Sequence, residues 1–149
     1  MAFFPDTGNQ NVAGTLTVTG ASTLSGGLSA GNNVTGIGTA PTAAAGANAG
    51  TGPPAPVVNT NARDLGGSIT FGTGTTPAAG AMVTITLATS FTNPPAVVVS
   101  PLNTATQALG LYAQATSGSS ITVSATTAPA ASQGNTTYGF EYLVVGMAA

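Results

Sequence analysis

Alternation of apolar and polar positions is clearest near the end of the chain. Tyr138, Phe140, Tyr142 and Val144 fall on one side of a period of two, and Gly139, Glu141, Leu143 and Val145 on the other. That is the pattern of a strand with one buried face. The same reading predicts strands over Ser68–Phe71, Met82–Ala88, Ala96–Ser100, Leu109–Ala115, Ser120–Ala125 and Thr137–Val145. Breaks rich in Gly, Pro, Asn or Ser separate them. Ser117-Gly118 predicts a tight hairpin between the fourth and fifth. No stretch carries helical periodicity. Short strands at regular spacing predict an all-β class, with an antiparallel sandwich or barrel over residues 65–149.

The first part of the chain is patterned differently. Residues 1–64 hold 12 large apolar side chains, while residues 65–149 hold 24. Only the second part has enough to build a core. Residues 1–11 form a terminal segment with adjacent aromatics, Phe3 and Phe4. Residues 12–38 carry a six-residue repeat: Val12-Ala-Gly14, Val18-Thr-Gly20, Leu24-Ser-Gly26. Gly14-Thr-Leu-Thr-Val-Thr-Gly20 within it alternates with period two. One such short strand cannot hide its apolar face alone, so stacked repeats or neighbouring chains must cover it. Val12, Val18 and Leu24 are in register for an axis shared by several chains. Residues 39–64 are rich in Ala, Gly and Pro and read as a linker.

Composition sharpens this picture. Alanine (27), threonine (26) and glycine (21) make half of the 149 residues. Leu, Ile, Val and Phe total only 30, a fraction at which disorder is usually suspected, yet the net charge is just −2. A weakly charged Thr/Ala/Gly chain is better explained by closely packed β-structure. Only Asp6, Arg63, Asp64 and Glu141 are charged, and Lys, His, Cys and Trp are absent. One arginine cannot supply a nucleic-acid footprint. Thiolate and imidazole metal sites, Ser-His-Asp triads, cysteine nucleophiles and P-loops all lack a required residue. The expectation is a non-enzymatic structural or binding protein with no catalytic residues, no cofactor and no metal. No apolar run is long enough to span a membrane, so no membrane insertion is expected. The start lacks a basic n-region and a long apolar h-region, so synthesis in a cytoplasm is expected, by a cell or by a virus inside one.

Gly14-Thr-Leu-Thr-Val-Thr-Gly-Ala-Ser-Thr-Leu-Ser-Gly-Gly-Leu28 resembles the shaft repeats of bacteriophage fibres. Pro95-Ala-Val-Val-Val-Ser-Pro101, Gly110-Leu-Tyr112 and Tyr138-Gly-Phe-Glu-Tyr-Leu-Val-Val-Gly146 resemble the β-rich C-terminal knobs of phage head-fibre and tail-fibre proteins. The resemblance implies an intertwined homotrimer with an N-terminal attachment segment, a slender shaft and a compact distal head. A head fibre or capsid decoration protein fits the chain length better than a tail fibre. Such a protein would sit exposed on the capsid, held by the major capsid protein or another virion protein. Its head would bind a host surface glycan weakly. The alternatives are a short tail fibre or receptor-binding knob, and a cell-surface adhesin.

A few residues are candidates for particular roles. Phe3 and Phe4 are the expected capsid anchor, because the shaft offers little apolar surface for them to fold back on. Arg63 and Asp64 are a candidate ion pair between subunits, since neighbours on an extended chain point to opposite faces. A solvated pair at the linker junction and a ligand contact are the other readings. Glu141 reads as a charge at a solvent-facing or edge position. Asp6-Thr7-Gly8 matches the aspartic-protease triplet but lacks its apolar frame, and reads as a turn. Thr15/Thr17/Thr19 and Thr84/Thr86 have the spacing of ice-binding ranks, and also simply of good β-formers.

Overall fold

The computed structural model describes Ala13, Thr15, Thr17, Thr19, Gly36, residues 38–132 and residues 134–147. Phe3, Phe4, Val12, Val18 and Leu24 lie outside these residues. The chain divides into one unit of residues 1–34 and a second of residues 35–149, and the second carries everything described below.

Among the described residues eight strands and one short helix follow in order: β1 (Thr42–Ala45), β2 (Val57–Val58), β3 (Gly66–Phe71), β4 (Gly80–Thr86), β5 (Ala96–Pro101), α1 (Thr104–Gln107), β6 (Leu111–Ala115), β7 (Ser120–Ala125) and β8 (Tyr138–Val145). They form two antiparallel sheets of four strands, ordered β1-β4-β7-β6 and β2-β3-β8-β5. The fold is thus nearly all β, as the alternation predicts. Ile69, Phe71, Phe140 and Val144 from one sheet and Val83, Ile85, Ile121 and Val123 from the other are buried in one cluster. Phe71 packs on Tyr138 and Phe140, with ring centroids 5.3 and 6.0 Å apart. Tyr138, Phe140, Tyr142 and Val144 face inward, while Glu141, Leu143 and Val145 are exposed.

Three features depart from the sequence reading. Residues 39–64, expected as a linker, supply β1 and β2, each an outermost strand of one sheet. Small side chains make this possible. Ala43 packs against the core and Ala49 and Ala62 are buried, so a stretch with few large apolar residues still belongs to the folded unit. The second is α1, within the expected break at Pro101–Ala108. Asn103 caps it, its Oδ1 accepting from Thr106 N at 2.8 Å. The third lies in β4, where the register shifts between Ala81 and Val83. That bulge lets the consecutive Met82 and Val83 both be buried, which strict alternation forbids. Among the described residues no helix is long and apolar enough to cross a membrane.

Candidate functional site

Outward positions on the two sheets differ in chemistry. On β2-β3-β8-β5, Val98 stands opposite Leu143 and Ala96 opposite Val145. Val98 is 65% exposed, Leu143 48% and Val145 52%. Met147, two residues past β8, is exposed as well, and Val57 on β2 and Leu102 just after β5 are exposed beside Gly139, beyond the row of Glu141. A polar row crosses the same face, with Ser100 and Ser68 both opposite Glu141. Glu141 is solvent-facing, as expected, but on an interior strand and not an edge.

On β1-β4-β7-β6 the outward positions are hydroxylic. Thr42 stands opposite Thr86, Thr84 opposite Ala44 and Thr122, and Thr86 opposite Ser120. Gln114 pairs with Thr122. Tyr112 is the one large exposed hydrophobic residue on this sheet among the described residues. Thr84 and Thr86, read from sequence as an isolated pair, therefore belong to a wider uncharged array. Thr122 and Gln114 were invisible as its members because cross-strand neighbours come from distant sequence.

An open concavity of about 280 Å³ lies beside β3, lined by Asn59, Asn61, Ala62, Gly67, Ser68, Glu141 and Tyr142. Its shape depends on Gly67. A Cβ there would collide with Ala62, so only glycine lets the β2–β3 connection come this close. The Tyr142 hydroxyl donates to the Arg63 carbonyl at 2.7 Å and ties that connection to β8. Burial pushes the Tyr142 phenol up to about 12, the charge of Asp64 adds to the rise, and Arg63 opposes it. The phenol therefore rests protonated near neutral pH. Glu141 is the one carboxylate lining the concavity.

Arg63 and Asp64 turn to different partners within their own chain. Asp64 accepts from Ala88 N at 2.8 Å and Thr89 N at 2.7 Å, fastening the turn after β4. Arg63 Nη1 donates to the Thr60 and Ala62 carbonyls at 3.2 and 2.6 Å. Both Asp64 oxygens thus serve a local structural purpose within the chain. No family model, curated protein or solved structure matches this chain.

Proposed function

We propose that the chain is a non-enzymatic virion structural protein of a bacterial virus: a trimeric head fibre or capsid decoration protein, exposed on the capsid surface. Its N-terminal segment docks on the major capsid protein or another virion protein, and its β-rich head contacts host surfaces weakly. The observation that carries this reading is the unequal chemistry of the two outer faces. One is apolar around Val98, Leu143 and Val145 and suits contact with other protein. The other presents Thr42, Thr84, Thr86, Thr122 and Gln114 with no charge and suits neutral, hydroxyl-rich host glycans. Each such contact is weak, and many heads on one particle bind by avidity. The shaft-like repeat of residues 12–38 and the Phe3-Phe4 pair support the rest of the arrangement.

Attachment provides the test. Only Asp6 is charged before position 63, so docking should depend on Phe3 and Phe4 and hardly on salt. Burying one Phe contributes about 1.5–3 kcal/mol. The double variant F3A/F4A should keep the oligomer intact but fall off purified particles. Wild-type occupancy with that variant would place the anchor elsewhere.

A further inference from the structure

We propose that the outward face of the sheet β2-β3-β8-β5, centred on Val98, Leu143 and Val145, is the surface through which copies of this chain pack their heads together. The inference rests on the oligomeric reading above and names the face it uses. Exposed apolar residues are distributed one-sidedly. Val57, Val98, Leu143 and Val145 lie on the strands of this sheet, Leu102 follows β5 directly, Met147 lies two residues past β8, and among the described residues only Tyr112 lies on the other sheet. The apolar cross-strand pairs Val98–Leu143 and Ala96–Val145 adjoin one another along β5 and β8, so they form one patch and not scattered single residues.

Two observations identify the occupant as a second copy. The first is charge complementarity. The patch itself carries no charge, and its margin carries Glu141, whose carboxylate has no hydrogen-bond partner among the described residues. The chain's one cation, Arg63, spends Nη1 on local carbonyls and keeps the other guanidinium donors. Among the described residues each copy therefore offers one unengaged carboxylate and one cation, and a second copy can supply a partner for Glu141. Asp64 is already engaged by the backbone N–H groups of Ala88 and Thr89 in its own chain. The second is tethering. The six-residue repeat ahead of the head cannot cover its own apolar positions and draws chains together. Tethered heads see one another at about millimolar effective concentration, so a patch too small to join free monomers is enough.

The chain contains no cysteine, so one introduced thiol is unique. In the full-length protein, L143C probes the apolar face and T86C the hydroxylic one; both positions are exposed within a single chain. Maleimide labelling is timed on each while light scattering reports the mass. The expected result is an oligomer in which L143C reacts at least tenfold more slowly than T86C, with the difference abolished in denaturant. An oligomer with equal rates at both positions, or slower labelling at T86C, overturns the proposed face while leaving the oligomeric reading intact. A folded monomer overturns both. Should L143C fail to fold, V98C reads the same face by the same criteria.

Discussion

Single residues hold this fold at points where strands end. Thr106 is buried, and its hydroxyl accepts from Gly139 N at 2.8 Å while donating to Asn103 Oδ1 at 2.9 Å. It supplies a partner to β8 just where pairing with β5 runs out at Pro101. Thr106→Val keeps the shape but strands a buried N–H, and should cost about 1–3 kcal/mol in chemical denaturation. Thr106→Ser should recover most of the loss. Nothing in the local sequence announced this threonine among 26, because its partner is 33 residues away. Tyr142 gives a pH signature. Its phenol is ordinarily near 10 and is pushed to about 12 in the fold, chiefly by burial. Between these values the unfolded chain releases the proton and the folded chain keeps it. Stability should therefore fall as pH rises from about 10 toward 12. Melting temperatures across that window should show a shallower decline in Tyr142→Phe than in wild type; identical slopes would mean that the phenol is not buried.

At the scale of elements, strand identity followed from period-two alternation wherever large apolar residues marked the buried face, as in β8. It failed where the buried side chains were small. β1 is Thr-Ala-Ala-Ala, with no hydrophobic contrast to read, and β2 is two valines among prolines. Their inclusion depends on pairing with β4 and β3, which is tertiary information. Proteolysis distinguishes the two boundaries. A nonspecific protease should leave a fragment beginning near Thr35, because β1 and β2 are paired into the two sheets and cuts within them require opening a sheet. A stable product beginning near Leu65 would show that β1 and β2 are dispensable. Trypsin is the wrong probe, since Arg63 is the chain's one cleavage site and its backbone is bonded to Gly66 in both directions, at 2.9 and 3.0 Å.

At the scale of the whole molecule, the class of fold was legible in the sequence and the surfaces were not. A burial pattern in β8 shows which positions turn outward, but not which outward positions on other strands stand beside them. Val98 meets Leu143, and Thr84 meets Thr122, only once the strand order is known. That order separates an apolar outer face from a hydroxylic one, and the proposed role follows from the separation: the first turned toward other copies, the second toward a host. The most direct measurement is electron microscopy of intact particles labelled with antibody against the head. The account predicts label distributed over the capsid shell, lost in F3A/F4A particles. Label confined to the tail, or no label on particles that contain the chain, would contradict it.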